Sequence, residues 1–165
     1  MMRNKNELLF AMIAYDAGDA KRIQHFLKVY QFAKLIGEME NLDPETQQTL
    51  ETAAIVHDIG IKKAIETYGS GAGPYQEELG PDEARTMLQK LGYPETVIER
   101  VCYLVGHHHT YTKIDGIDYQ ILVEADFLVN LFENGTDMDG CRNVMEKIFK
   151  TETGKKLLME MFLGH

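Results

Sequence analysis

The spacing of the apolar residues most constrains the fold of this chain, because it repeats every three or four positions through most of the sequence. Leu8, Leu9, Met12 and Ile13 follow this spacing near the start. Such side chains share one face of an α-helix, whereas a half-buried strand would alternate at every second residue, and no alternating run is long enough to require a sheet. The pattern predicts an all-α protein, a compact single-domain bundle of about six to eight helices. The expected helical regions are 5–16, 20–38, 44–58, 81–92, 95–109 and 119–135, followed by one or two helices within 137–165.

Length, charge and cysteine content narrow the class further. The 165 residues suffice for one domain spanning 1–165 and are short for two. The net charge of −9 would repel a phosphate backbone, so we expect no nucleic-acid polymer as a partner. Cys102 and Cys141 are far apart, which favours reduced thiols, and the apolar run within 1–19 is too short to span a membrane. The sequence predicts a cytoplasmic protein without a membrane partner, with His165 in solvent.

A glycine-rich segment divides the predicted helices. Residues 66–80 contain four glycines and a proline. Because both residue types interrupt regular structure, the segment is interpreted as a long loop that forms a flap over the functional site. Gly60 should end the helix before it, and Pro81 should begin the helix after it, since proline is tolerated in the first turn. No phosphate-binding fingerprint is present, because no Gly-Lys-Ser/Thr follows the glycines and no strand precedes them.

Polar residues interrupt three of the predicted apolar faces. His25 flanks the apolar face of its helix, and Asp126 lies on the most hydrophobic helix of the chain. His57 and Asp58 follow four apolar residues at a helix end, where the chain can turn both side chains toward one point. A lone buried histidine is more often satisfied within the core, and a lone buried carboxylate by an arginine or by backbone donors. Taken together, these residues favour a shared cation.

The mixture of ligand types limits which cation fits. Neutral imidazoles combined with carboxylates suit borderline divalent ions, so the candidates are Mn, Fe, Ni, Co and Zn. A bound ion of this kind acidifies a coordinated water toward neutrality and polarises a phosphoryl oxygen. The predicted metal site would therefore supply hydrolytic chemistry.

The order of these residues is recognisable. A histidine, a His-Asp pair and a later aspartate, all on helices, resemble the H…HD…D signature of the HD-domain superfamily of metal-dependent phosphohydrolases. The resemblance covers about 19–134, and the C-terminal helices within 137–165 are expected to pack on that core. It implies a helical domain that holds one divalent metal. The metal ligands that it implies are His25, His57, Asp58 and Asp126.

Members of this superfamily with two metals use the motif aspartate as a bridge and add histidines later in the chain. One of these usually begins an H-x-x-x-G segment, but Gln76 stands in its place here. The other falls where this chain offers His107, His108 and His109. An amide is a poor ligand compared with imidazole, so we expect one ion rather than two. We assign His107 and His108 to the catalytic site together with Asp58, and His109 to the surface or to the surroundings of the ligands.

The function that these residues imply is hydrolysis of a small phosphorylated metabolite, a nucleotide or a phosphomonoester, by metal-activated water. Asp58 would act as a ligand and a proton acceptor, and a protonated histidine of the triplet would contact phosphate oxygens or the leaving group. Lys62 and Lys63 could supply positive charge for a phosphate, although such a pair is more often exposed.

Two other functions fit part of the pattern. Some phosphomonoesterases of the superfamily carry an acid shortly after the His-Asp pair, and residues 59–62 contain none. A non-catalytic module that binds metal or a nucleotide signal is therefore the main alternative. A helical diiron site would also combine histidine with carboxylates, but the Glu-x-x-His pairs of such proteins are missing. The sequence leaves the substrate, the metal and the oligomeric state open, a homodimer included.

Overall fold

Helices account for the regular structure in the computed structural model, which describes residues 4–164, and no strand occurs among these residues. The prediction of an all-α fold is confirmed. Residues 1–3 and His165, which was expected in solvent, lie outside the described part of the chain. No helix within 4–164 is long and apolar enough to cross a membrane. The helices are α1 Asn6–Tyr15, α2 Ala20–Met39, α3 Pro44–Val56, α4 Gly60–Tyr68, α5 Gly73–Lys90, α6 Glu95–Val105, α7 Ile117–Glu133, α8 Met138–Ile148 and α9 Glu152–Leu158, followed by a π-helical turn, Met159–Leu163.

Side-chain caps fix where several helices begin. Asp19 accepts a hydrogen bond from the backbone N–H of Arg22 at the start of α2, and Asp43 accepts one from Thr46 at the start of α3. These bonds satisfy N–H groups that have no partner within the helix. Pro44 stands in the first turn of α3, where its missing N–H is harmless. The predicted starts of both helices are thereby confirmed.

The helix α3 lies at the centre of the fold, and every residue from 47 to 56 is buried. It packs against α2, α6 and α7, while α2 packs against α7 on a further side. Ala53 and Ala54 are fully buried, and their small side chains let the neighbouring helices come close. The C-terminal end of α3 therefore opens into the interior between α2 and α7, not into solvent.

The C-terminal helices cover one end of this arrangement. Phe149 and Leu158 belong to the same hydrophobic core as α2, α3 and α7. The helix α9 packs against α7 and α2. Its start is tied to the end of α2, because Glu40 accepts hydrogen bonds from the backbone N–H and the hydroxyl of Thr153. The helices that follow α7 thus help to hold α7 against α2.

The predicted loop over residues 66–80 is wrong. The helix α4 continues to Tyr68, and α5 begins at Gly73, so only four residues connect them. Gly69 ends α4 with a φ of 72°, a left-handed conformation that favours glycine. Pro81 lies inside α5 and does not begin it, and Gly60 begins α4 and does not end α3. A flap over the site is therefore absent from this region of the described chain.

Close packing between helices explains the glycines that suggested a loop. A Cβ atom on Gly60 would lie 2.7 Å from the carbonyl oxygen of Gln76, and one on Gly80 would lie 2.7 Å from Val105 Cγ1. The helix α5 can come this close to α4 and to α6 only where a side chain is missing, and glycine supplies that space. Pro74 falls in the first turn of α5, where a proline does not disturb the helix. A glycine-rich composition is compatible both with a loop and with closely packed helices, so it does not show which of the two is present.

Candidate metal centre

Four polar side chains meet in the interior where α2, the end of α3 and α7 converge. His25 lies on α2, Asp126 lies on α7, and His57 and Asp58 follow the last residue of α3. All four are buried. His25 Nε2 lies 3.2 Å from Asp58 Oδ2 and 3.2 Å from Asp126 Oδ1, and His57 Nε2 lies 3.4 Å from each of the same two oxygens. The residues that the sequence predicted as metal ligands are brought together as one cluster.

Hydrogen bonds at the far ring nitrogens orient both imidazoles. His57 Nδ1 donates to the carbonyl oxygen of Ala54 at 2.7 Å, and His25 Nδ1 donates to Glu133 Oε1 at 2.7 Å. The second oxygen of Glu133 lies 3.1 Å from Lys28 Nζ, which holds this carboxylate in place. With the proton on Nδ1, a neutral imidazole keeps its lone pair on Nε2. That lone pair faces the carboxylates.

The spacing of these donor atoms fits a divalent transition metal. Metal–ligand bonds of about 2.1 Å place neighbouring ligand atoms about 3.0 Å apart in octahedral and about 3.4 Å apart in tetrahedral coordination. The distances of 3.2–3.4 Å in the cluster match that range. His57 Nε2 is buried and has no hydrogen-bond partner, which a metal bond would supply. The chemistry of the donor set therefore fits the ion that the sequence predicts.

The electrostatics of the cluster favour a cation. Burial lowers the pKa of His25, but hydrogen bonds with Asp126 and Asp58 outweigh it and raise the pKa to about 9. The pKa of His57 is also raised well above its usual value, against the effect of burial, by Asp58 and Asp126. Burial raises the pKa of each carboxyl, and the imidazoles hold both below the usual range. Two ionised carboxylates thus hold positive charge at the imidazoles, either as protons or as a metal ion.

A second group of side chains faces the other oxygen of Asp58. Asp58 Oδ1 lies 3.3 Å from His108 Nε2. His108 is buried, and its Nδ1 donates to the carbonyl oxygen of Val105 at 2.8 Å. Ligand atoms of Asp58, His108 and His109 all lie within 4.8 Å of one another. The carboxylate of Asp58 therefore lies between two groups of donors.

A comparison with known families identifies the motif. A family model described as HD domain matches residues 22–138, well over half of the chain. The chain belongs to the HD-domain family. All four residues of the cluster fall within the match, and membership places the protein in a superfamily of metal-dependent phosphohydrolases. No curated protein and no solved structure matches the chain.

Gln76, the residue expected in place of a further histidine ligand, lies beside His109. Its Nε2 donates to the carbonyl oxygen of Gly71 at 2.7 Å, and its Oε1 lies 3.1 Å from His109 Nε2. Burial lowers the pKa of His109 to about 4, and the neighbouring His108 adds to this effect. His109 is therefore a neutral, half-buried group whose ring is held by Gln76, and it belongs to the second group of donors more than to the open surface.

His107 lies outside both groups. Its Nδ1 donates to the carbonyl oxygen of Tyr103 at 2.7 Å, and its ring stacks on that of Tyr103 with the centroids 4.0 Å apart. The helix α6 ends at Val105, so the three histidines lie in the turn that follows it. Successive side chains of such a turn point in different directions, so His108 contacts Asp58 and His109 lies beside them, whereas His107 does not face Asp58. The position of His107 therefore does not support the catalytic role predicted for it.

Two residues beside the cluster escaped the sequence reasoning. Arg22 Nη1 lies 2.8 Å from Asp58 Oδ2, and Glu133 orients His25. The position of each residue in the sequence could have indicated that it lies near the cluster. Arg22 precedes His25 by three residues, and Glu133 follows Asp126 by seven, so each shares a helix face with a predicted ligand. A search for charged residues on those faces would have found both.

The lysine pair after the motif lies on α4, and both side chains are exposed. Lys62 Nζ donates to the carbonyl oxygen of Tyr15 at 3.1 Å and lies 5.1 Å from the centroid of the Tyr15 ring. Lys62 is thus engaged at the end of α1 and not directed at the cluster, and no contact of Lys63 with the cluster is described.

Proposed function

We propose that this HD-domain protein is a cytoplasmic metal-dependent phosphohydrolase that cleaves a small phosphorylated metabolite, a nucleotide or a phosphomonoester. The observation that carries the proposal is the buried cluster in which two imidazole Nε2 atoms face two carboxylate oxygens at 3.2–3.4 Å. Mn, Fe, Ni, Co and Zn each accept this combination of ligands. The proposal is for one ion held by His25, His57, Asp58 and Asp126.

The chain supplies the surroundings that such chemistry needs. A bound ion would acidify a water molecule and polarise a phosphoryl oxygen. Arg22 places a guanidinium 2.8 Å from Asp58 Oδ2, so positive charge is available beside the cluster for phosphate oxygens. Asp58 and Asp126 are only 6% and 4% exposed, and charges attract more strongly where bulk water is excluded.

Asp58 and His108 provide a path for the proton that the attacking water loses. Asp58 Oδ1 is the oxygen that does not face His25, and it lies 3.3 Å from His108 Nε2. With the ring proton on Nδ1, where it bonds to the carbonyl oxygen of Val105, His108 Nε2 would be available to accept a proton. The proton would pass from Asp58 Oδ1 to His108 Nε2, and the resulting imidazolium would return it to the oxygen of the leaving group.

Metal content and hydrolysis test the proposal together. The purified protein should contain about one divalent transition metal per chain. It should also hydrolyse nitrophenyl phosphate or members of a nucleotide panel in the presence of Mn, Co, Ni or Mg. Asp58→Ala should lose both the metal and about a thousandfold or more of kcat/KM, since several kcal/mol of transition-state stabilisation would be removed.

Asp139→Ala is the matched control for this experiment. The Asp139 carboxylate is 93% exposed and pairs only with Arg142 among its described contacts. Its removal should leave metal content and activity within about twofold of the wild type, because a surface ion pair contributes little. A protein that binds no metal, or an Asp58→Ala variant as active as the control, would contradict the proposal.

A regulatory module remains the second candidate, because Gln76 replaces a histidine ligand and residues 59–62 contain no acid. Such a protein would bind metal in stoichiometric amount and hydrolyse no phosphoester under any of these conditions. In either case the ligand would be a small phosphorylated molecule and not a nucleic-acid polymer or a membrane, since the net charge of −9 opposes binding to extended anionic surfaces. Sedimentation of the purified protein tests whether it forms a homodimer.

A further inference from the structure

A cavity of about 290 Å³ lies beside the metal centre, between the end of α1, the first turn of α2 and α4. Its apolar wall includes the side chains of Tyr15, Ile61 and Ile65, and its polar wall includes Asp16 and Arg22. Arg22 lies between the cavity and the cluster, because it lines the cavity and its Nη1 lies 2.8 Å from Asp58 Oδ2. The cavity is therefore next to the place where a phosphate would bind at the cluster.

No side-chain hydrogen bond among the described residues accounts for the burial of Asp16. Its side chain follows the last residue of α1 and is only 9% exposed, and Oδ2 has no hydrogen-bond partner. Burial raises the pKa of Asp16 to about 6, and Arg22 opposes that rise without cancelling it. A buried carboxylate without partners costs stability unless something else supplies the hydrogen bonds. A ligand in the cavity would do so.

Arg22 has a second unpartnered atom on the same wall. Its Nη1 is engaged by Asp58, but its Nε is buried and has no acceptor. Arg22 thus touches the cluster and lines the cavity, and it leaves one donor without a partner, as Asp16 leaves one acceptor. The pair offers one donor and one acceptor, which is the pattern that a hydroxyl group satisfies.

The charges around the cavity argue against a second anion as its occupant. Asp16, Asp19 and Glu66 line it together with Arg22 and Lys62. Asp19 is committed to the N-terminus of α2, and Lys62 is bonded to Tyr15. The acids outnumber the bases, so a phosphate or carboxylate group would be repelled, whereas a neutral group with hydroxyl donors would pair with Asp16.

We propose that this cavity is the subsite for the leaving group, and that Asp16 and Arg22 select phosphomonoesters whose alcohol carries further hydroxyl groups, such as a ribose or a hexose. The proposal rests on the phosphohydrolase function proposed above. Carboxylates recognise vicinal hydroxyls of ribose in other nucleotide-binding folds for the same reason, since an ionised oxygen accepts a strong hydrogen bond from O–H. The apolar wall would cover the carbon face of the sugar.

Kinetics with paired substrates test the subsite. The substrates are a ribonucleoside monophosphate, the dideoxyribonucleoside monophosphate with the same base, a hexose phosphate and nitrophenyl phosphate. Asp16→Asn and Asp16→Ala should lower kcat/KM for the ribonucleotide or the hexose phosphate by about 10- to 100-fold, mainly through KM. Both variants should leave kcat/KM for nitrophenyl phosphate and the dideoxyribonucleotide within about twofold. An equal loss on all four substrates would overturn the proposal, as would a wild-type enzyme that does not favour the hydroxylated substrates.

Glu146→Gln is the control, because this carboxylate is exposed on α8 and does not line the cavity. It also removes one negative charge and should leave the substrate preference unchanged. Thermal unfolding adds a readout independent of activity. Removal of an unpartnered buried carboxylate should leave the unfolding midpoint equal to or above that of the wild type. A lower midpoint for Asp16→Asn would mean that Asp16 stabilises the fold, and that result would overturn the subsite.

Calorimetry separates this proposal from the phosphohydrolase proposal. If the wild type hydrolyses nitrophenyl phosphate but neither hydroxylated substrate, the subsite fails and the general function stands. If it hydrolyses nothing, the general function fails, and titration of the protein with a ribonucleoside and with a free hexose still tests the cavity. Binding of either that Asp16→Asn weakens by about tenfold or more supports the subsite, and the lack of any binding to the wild type refutes it.

Discussion

Two buried carboxylates lie only two residues apart on α7 and have opposite surroundings. Glu124 is fully buried and accepts four hydrogen bonds from nitrogen and oxygen donors that the fold holds in place. Two come from the backbone N–H groups of Lys150 and Thr151, at 2.9 and 3.0 Å, and two come from the side chains of Thr151 and Gln120, at 2.6 and 2.7 Å. Both of its oxygens have hydrogen-bond partners within the protein, and it ties α7 to the segment between α8 and α9.

Asp126 faces the other side of α7 and has no such set of donors. Its Oδ1 lies 3.2 Å from His25 Nε2 and 3.4 Å from His57 Nε2. Each of these nitrogens can either carry a proton or bind a metal, because Nδ1 of each ring already donates to a fixed acceptor. The comparison shows that burial alone does not identify a ligand. A carboxylate saturated by fixed donors stabilises the fold, and one that faces exchangeable donors can hold a cation.

Of the changes that distinguish the roles of Asp126 and Glu124, Asp126→Asn should have the largest effect on metal content and activity. The amide is a weaker metal ligand, so the variant should lose its metal and about a thousandfold of kcat/KM on the best phosphoester. Metal analysis after dialysis and steady-state kinetics measure both quantities. Glu124→Gln, the same change two residues away, should keep the metal. Equal metal content in both variants would contradict the view that Asp126 binds the metal and Glu124 does not.

Glu124→Gln should instead lower stability. The backbone N–H groups of Lys150 and Thr151 both donate to Oε2, and the Thr151 hydroxyl donates to Oε1. A glutamine has one acceptor group and one NH2 group, so at least one buried donor loses its partner in either orientation. We expect the free energy of unfolding to fall by about 2–3 kcal/mol. Urea denaturation monitored by circular dichroism measures it, and wild-type stability for this variant would show that Glu124 is not a structural anion.

The metal-free protein should lose stability as the pH rises. The pKa of His25 in the folded protein is about 9, above the value of 6.5 expected when the chain is unfolded. A raised pKa contributes stability that is fully present below pH 6.5 and is lost as the pH rises through 9, on the order of 2 kcal/mol between pH 7 and 9. Denaturation of the chelator-treated protein across this range checks the loss. The metal-loaded protein should not show it, because the imidazoles then bind the metal without a proton.

The smallest of these effects should come from Glu133→Gln. Glu133 does not reach the carboxylates of the cluster but orients His25 through Nδ1. Removal of such a supporting group weakens metal affinity by about 10- to 100-fold while the fold remains. Competition with a metal indicator measures the change. Glu146→Gln, at an exposed residue of α8, is its control and should have the affinity of the wild type.

Sequence reasoning reached the cluster because each of its members departs from a regular pattern. His25 and Asp126 are polar residues at or beside apolar helix faces, and His57 and Asp58 end a buried run. The periodicity of the apolar residues in turn fixes which faces are buried, so the all-α class and most of the helices followed as well, but α4 and the first half of α5 did not. These are local properties, and a single sequence displays them.

Contacts between elements were beyond that reasoning. Whether His107 or His108 faces Asp58 depends on the backbone of the turn after α6 and on where that turn lies relative to the end of α3, which helical periodicity does not give. The loop expected at 66–80 failed for a related reason, since glycine permits a loop and a close helix contact equally. The cavity beside Arg22 was also missed, because its walls come from three elements that are distant in sequence or separated by a turn.

The contact between Gly60 and Gly80 limits how far Asp58 can move relative to the other residues of the metal centre. Asp58 lies in a short turn whose far end is the first residue of α4, and a Cβ on Gly60 would overlap the backbone of α5, 2.8 Å from Gly80 Cα. The close contact between the backbones of α4 and α5 therefore fixes the position of the Asp58 carboxylate, and no polar side chain takes part in that contact. A methyl group added at Gly60 would push α4 away from the backbone of α5 and carry Asp58 with it, away from ligands that are themselves unchanged, whereas one added at Gly80 would meet Val105 of α6 instead.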